Sequence, residues 1–331
     1  MSDLTVIVAS PDVDGVASAA IVARGIEGSF ETFFMGSEEL PGFFEPSIQL
    51  KLPRMYTLVI CGLNVVYMSW DGELVRPDLM DVLRSFSAPV RWFSTGGWRS
   101  EDVAAVRNII GEQNLVLQPE VDSTAELVHE AFAAPGDDFA DALKNFAADT
   151  LSEEDDERWG NDWRRVINSL KKDAFRLNTI VGPLIENRPE ELDPELQEEA
   201  RQTQRKNRDL AGDRASELIY MRDHTLVTVE IPREHHAFWE EVSEYARAER
   251  GAEFCLAILA ERPVMVLTRG QEPRVDLRKW VRYLTDMMTP ARALEGRPDA
   301  VPIYVKDLTA DQAIKRKVVD LLAQGAHLLA D

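Results

Sequence analysis

Two aspartates spaced i, i+2 and followed at once by a glycine, Asp12-Val13-Asp14-Gly15, stand between an apolar run, Leu4 to Ala9, and a stretch of small residues, Val16 to Gly25. Carboxylates are hard oxygen donors suited to Mn²⁺ or Mg²⁺, and a pair of such ions activates water and neutralises phosphate charge. An Asp ahead of a helix also has a plainer task, capping the free N–H groups of the first turn. Both readings are open for Asp14. Cys61 and Cys255 lie inside apolar runs, far apart and without zinc-type spacing, so they read as buried reduced thiols. His235-His236 follows Pro232 and precedes an amphipathic stretch, which reads as a solvated helix start with no carboxylate partner to complete a metal site.

The elements that must position these residues alternate. Leu4 to Ala9 is a strand ending in Ser10-Pro11-Asp12, with a helix through Gly25. Phe30 to Met35, Thr57 to Cys61, Val90 to Phe93 and Leu115 to Leu117 are further strands, with helices from about Asp78 to Phe86 and from Glu101 to Ile110. Ser123-Thr124-Ala125-Glu126 is a capping box opening a helix from Ala125 to Ala133. This alternation predicts an α/β chain with a parallel sheet and helices on both faces. Residues 137–181 read as helical, interrupted by the solvated acidic run Glu153 to Glu157, and Glu190 to Arg214 reads as an exposed helix joining two domains. A smaller α/β unit follows: strands at Thr225 to Ile231, Phe254 to Leu259, Val264 to Leu267 and Ile303 to Val305, with helices at His236 to Arg247, Leu277 to Met287 and Ala310 to Leu329. The resulting division is 1–184, a helical linker over 185–214, and 215–331.

The 331 residues suit two domains, and no apolar stretch approaches the roughly 20 residues of a membrane span. Met-Ser-Asp-Leu-Thr lacks the basic segment of a secretory signal, so the expected location is cytoplasmic. A formal net charge of −21 repels polyphosphate backbones, which argues against bulk nucleic-acid binding.

Val6 to Ile21, with Asp12, Asp14, Gly15, Ser18 and Ala19, resembles the first motif of the DHH phosphoesterase superfamily, His-x-Asp-x-Asp-Gly-x-x-Ser-Ala, with Ser10 at the His position. Leu58 to Asn64 is similar in position to the second motif, with Cys61 where the metal-bridging Asp belongs. Val90 to Trp98 sits where the Asp-His-His triplet ends the next strand, and reads Ser94-Thr95-Gly96. Asp149 matches the Asp of the fourth motif. Val264 to Gly270 looks like the central strand of the DHH-associated domain with a phosphate-facing Arg269, and Gly296-Arg297 falls at its Gly-His-Pro-x-Ala turn.

The resemblance implies a DHH-type domain followed by a DHH-associated domain, with a cleft between them, as in exopolyphosphatase-related, oligoribonuclease-like and single-strand-exonuclease-like members. It implies one divalent ion, Mn²⁺ or Mg²⁺, on Asp12, Asp14 and Asp149, and a phosphate held by Arg269, Arg297 and Gly296. With the His, the bridging Asp and the His-His pair all replaced, the first expectation is a catalytically impaired protein that binds a phosphate-bearing small molecule or a protein partner. The alternative is an active Mn²⁺-dependent phosphoesterase on short oligonucleotides, cyclic dinucleotides or polyphosphate. Strand-Asp-x-Asp-Gly also opens haloacid-dehalogenase-like phosphatases, but a helix of small residues starting at once suits that family poorly, and it ranks third. Glu38, Glu39 and Asp71 are acidic residues able to compensate for missing ligands if they face the site.

Overall fold

The computed structural model describes residues 4–45, 52, 56–65, 67–68, 74–75, 79–96, 98–270, 275–288, 291–293, 300–306, 308 and 312–329. They form two compact units: the described residues of Met1–Tyr67 and Leu74–Arg201, and those of Met68–Glu73 and Gln202–Asp331.

In the first unit β1 (Leu4–Ala9), β2 (Ser29–Phe34), β3 (Tyr56–Cys61), β4 (Val90–Ser94) and β5 (Leu115–Leu117) make one sheet in the order β2-β1-β3-β4-β5. Every pairing in it is parallel. The longer helices are α1 (Val13–Gly25), α2 (Leu79–Ser85), α3 (Ser100–Ile110), α4 (Thr124–Phe132), α5 (Asp138–Ala147), α6 (Asn161–Leu170) and α7 (Ala174–Ile180). Side chains alternate across a strand, so one face presents Ile7, Ala9, Val59, Cys61 and Phe93 to α1, α4, α5 and α6. The other presents Val6, Val8, Leu58, Ile60 and Trp92 to α2 and α3. Burial on both faces explains why the central strands read as unbroken apolar runs. α1 is buried continuously from Gly15 to Ala23, which is why it is built from alanine and other small residues. Burying Val16, Ile21 and Val22 contributes roughly 1.5–3 kcal/mol each.

The second unit has a mixed sheet of β6 (Ile219–Met221), β7 (His224–Ile231), β8 (Phe254–Leu259), β9 (Val264–Arg269), β10 (Ala291–Ala293) and β11 (Ala300–Val305), in the order β10-β11-β9-β8-β7-β6. Among the described residues β7 and β8 run parallel and the other pairs are antiparallel. The helix α8 (Pro194–Arg214) leads into this unit, and the division between units falls inside it. One sheet face is covered by α9 (Trp239–Arg250), the other by α10 (Leu277–Met287) and α11 (Gln312–Gly325). The two edge strands, β6 and β10, are three residues each and carry no apolar pattern long enough to announce them. Among the described residues no helix is long and apolar enough to cross a membrane.

Candidate functional site

The chain leaves β1 for β2 on one side of the sheet, and β3 lies on the other side with β4 beyond it. The carboxyl ends of β1 and β3 therefore flank a topological switch point, the place where open α/β sheets leave a crevice for ligands. Ser10 and Asp12 follow β1 there, Cys61 ends β3, and Ser94 ends β4. The fold thus brings Ser10, Asp12, Asp14, Cys61 and Ser94, five of the motif positions, to one sheet edge.

Asp12 caps α1: its Oδ1 accepts from Gly15 N at 2.7 Å and from the Ser10 hydroxyl at 2.8 Å. Gly15 is required by proximity, since a Cβ there would stand 2.0 Å from the Ser10 carbonyl oxygen. Asp14 does not cap its own helix. Its Oδ2 accepts from Thr124 N at 2.9 Å and its Oδ1 from Ala125 N at 2.8 Å, so it closes the N-terminus of α4. The third N–H of α4, that of Glu126, goes to the Ser123 hydroxyl at 3.3 Å. Three of the four orphan donors of that helix are thereby satisfied, and a carboxylate sits at the positive end of its dipole. Desolvation, followed by the nearby charge of Asp12, outweighs those bonds and pushes Asp14 up to about 6.

Cys61 is fully buried and free of any disulfide. Burial, with the neighbouring Asp14 carboxylate adding to it, holds its thiol far above the ordinary range. At the end of β4, the Ser94 hydroxyl, 1% exposed, donates to Asn64 Oδ1 at 3.3 Å and accepts from Gly96 N at 3.0 Å. The Trp98 indole donates to the same Asn64 oxygen at 2.9 Å. A Cβ on Gly96 would lie 2.0 Å from Asn64 Oδ1, so in this arrangement Asn64 fills the space that a larger side chain at position 96 would enter. Thr95 between them is half-buried. Asn64, Trp98 and the backbone of Thr124 are parts of the site that sequence reading missed. The available signal was a polar residue, Asn64, shortly after the apolar run of β3.

The expected trio of carboxylates is not gathered. Asp149, just beyond the end of α5, has a side chain 73% exposed and pairs with Arg164 at 3.0 Å. Among the described residues no group of three or more His, Cys, Asp or Glu side chains is placed to hold a metal ion. Glu39 accepts from Gly36 N at 2.8 Å, Glu38 is exposed beside it, and Asp71 lies outside the described residues. Ser10 is buried and bonded to Asp12, and each oxygen of Asp14 accepts one backbone N–H. Of the two aspartates at this edge, Asp12 alone keeps an oxygen, its Oδ2, outside these bonds among the described residues. That donor set does not fit a two-metal centre, which needs several carboxylate or imidazole ligands to hold two cations side by side. In the second unit the Arg269 guanidinium donates to the carbonyls of Val275 at 2.9 Å and Gly270 at 2.8 Å. Gly296 and Arg297 lie outside the described residues.

No protein-family model and no curated protein matches the chain. Solved structures do. A DHH-domain protein described as a member of the s1p family of ribosomal proteins superposes with a TM-score of 0.65 at 13% identity, over 99% of this chain and 87% of that one. RecJ from Thermus thermophilus, solved in complex with Mn²⁺, gives a TM-score of 0.58 at 12% identity. The match covers 99% of this chain but 52% of that RecJ, so the chain spans about half its length. An exonuclease RecJ bound to manganese gives 0.52 at 12% identity, over 98% and 91% of the two chains. Parallel first sheet, mixed second sheet, motif positions at the switch point and these superpositions agree: the chain has the fold of the DHH phosphoesterase superfamily.

Proposed function

We propose that this protein is a DHH-fold binding protein that does not hydrolyse phosphoesters through a metal centre at the switch point. The observation that carries the reading is Asp14. In a metal-dependent phosphoesterase a carboxylate at this position has oxygens to give to a cation, whereas both oxygens of Asp14 accept backbone N–H groups of α4. The other positions support it, because Ser10 bonds to Asp12, while Ser94, Asn64 and Trp98 satisfy one another. Such polar networks rigidify an edge.

A protein partner suits this edge better than a phosphate. An anion binds a helix N-terminus through free N–H groups and the helix dipole. Here the N-termini of α1 and α4 already carry the carboxylates of Asp12 and Asp14. Almost all of the net charge of −21 resides in residues 1–201, which adds long-range repulsion against any polyanion. The test is hydrolysis of a generic phosphodiester and of a dinucleotide with Mn²⁺, comparing the natural sequence with Asp12→Ala/Asp14→Ala. Turnover equal to that of the double variant supports the reading. Turnover that the double substitution removes contradicts it.

A further inference from the structure

The second unit holds a pocket of about 310 Å³ that the motifs do not touch. It lies where β8 ends and turns into β9, under the start of α11. From there β9 runs away from the pocket toward Arg269, about 17 Å of strand at 3.4 Å per residue, so the pocket is at the opposite end of that strand from the arginine of the motif. Its volume is at the small end of the range for ligand pockets, roughly 300–1,000 Å³.

Its lining carries both signs of charge beside a small apolar surface. Two carboxylates, Glu230 and Glu261, and two cations, Arg262 and Lys315, share it with Ile258 and Leu308. Glu230 and Lys315 are joined at 2.9 Å through Oε2 and Nζ, with the lysine 16% and the glutamate 46% exposed. An ammonium carries three donors and a carboxylate two acceptor oxygens, so this pair retains hydrogen-bonding capacity on both sides. Glu261 is held at φ 64, in the left-handed region that favours glycine, and from there lines the pocket beside Arg262.

The charge pattern selects the ligand. A simple anion meets Glu230 and Glu261, a simple cation meets Arg262 and Lys315, and an uncharged apolar molecule covers an ion pair without replacing its water. A molecule with one ammonium, one carboxylate and an apolar body satisfies all three features, through charge-assisted hydrogen bonds to both signs and contact with Ile258 and Leu308. We propose that this pocket binds a small zwitterion of the amino-acid class with an apolar side chain, placing its amine on the Glu230 side and its carboxylate on Lys315 and Arg262.

The test is calorimetric titration of the full chain with L-leucine, beside 4-methylpentanoate, which lacks the amine, 3-methylbutylamine, which lacks the carboxylate, and inorganic phosphate. The expected result is saturable one-to-one binding of leucine, with each single-charge analogue at least about tenfold weaker. Lys315→Met and Glu230→Gln should each weaken leucine by a similar factor, and Ala260→Phe should block it by filling the pocket with the ion pair intact. Because Ala260→Phe leaves the charged residues unchanged, it serves as the decisive variant if either charge substitution fails to fold. Absence of saturable leucine binding would overturn the proposal. So would equal binding of the single-charge analogues, tighter binding of phosphate, or leucine binding that a folded Ala260→Phe protein retains.

Discussion

Replacing Asp14 by Asn tests the electrostatics of the switch point. Burial and the Asp12 charge move the Asp14 carboxyl from an ordinary 3.8 to about 6. In the unfolded chain it ionises near the lower value, so between the two values the folded state holds a proton that the unfolded state has released. Stability from this group is therefore complete below about pH 3.8 and is lost as pH rises through about 6, a difference of about 3 kcal/mol at 1.36 kcal/mol per pH unit. An Asn at position 14 does not titrate and escapes that loss. It offers a single oxygen to the N–H groups of Thr124 and Ala125, so a pH-independent deficit of about 1 kcal/mol accompanies it. Urea unfolding of both proteins from pH 4 to pH 7, taken as a difference, cancels the titrating groups that do not interact with Asp14 and leaves Asp14 with its coupled neighbour Asp12. The Asn variant should gain roughly 2–3 kcal/mol on the natural protein across that range, starting less stable and finishing more stable. Parallel curves, or a natural protein that gains on the variant as pH rises, would refute the reasoning.

Three further perturbations have defined outcomes. Asn64→Ala leaves the Ser94 hydroxyl and the Trp98 indole without their shared acceptor, and should cost about 1–3 kcal/mol, read as a lower urea midpoint at unchanged slope; a cost below about 0.5 kcal/mol would show that the network is dispensable. Gly15→Ala, which elsewhere in a helix stabilises by about 1 kcal/mol, should here destabilise by about 1–3 kcal/mol through the contact with the Ser10 carbonyl, so any gain in melting temperature would contradict the geometry. Cys61 and Cys255 are buried, with Cys255 pushed up to about 12 and Cys61 higher still, so a disulfide reagent should find no reactive thiol in the native protein and two after unfolding. Native-state reaction at Cys61 would show an accessible, activated thiol instead.

Sequence made the central elements legible because their physics is local. β1, β3, β4 and β5 are apolar runs with turn residues behind them, and the capping box before α4 was visible in Ser123 to Glu126, with the Ser123 hydroxyl bond to Glu126 N present as expected. β6 and β10 were not legible, since three-residue edge strands are defined by the neighbour they pair with rather than by their own pattern. The same divide runs through the site. That Asp12 and Asp14 stand at a strand end could be read from their spacing. That Asp14 serves a helix beginning 110 residues later could not, because nothing local links it to Thr124. The carboxylate at position 149 carried no local signal beyond its place in the motif order, and the structure spends it on Arg164. Replacement of imidazole and carboxylate by Ser94, Thr95 and Gly96 was plain in the sequence. What occupies the space was not, since Asn64 arrives from beyond the end of a neighbouring strand.

On the proposed reading, the edge carrying Asp12 and Asp14 holds no catalytic cation. Electron paramagnetic resonance of Mn²⁺ added to the full chain measures this directly, because bound Mn²⁺ leaves the sharp signal of the free ion. The expected result is a free-ion signal that the protein lowers no more than Asp12→Ala/Asp14→Ala does. One or two Mn²⁺ ions bound per chain at micromolar concentration, and released by that double substitution, would contradict it.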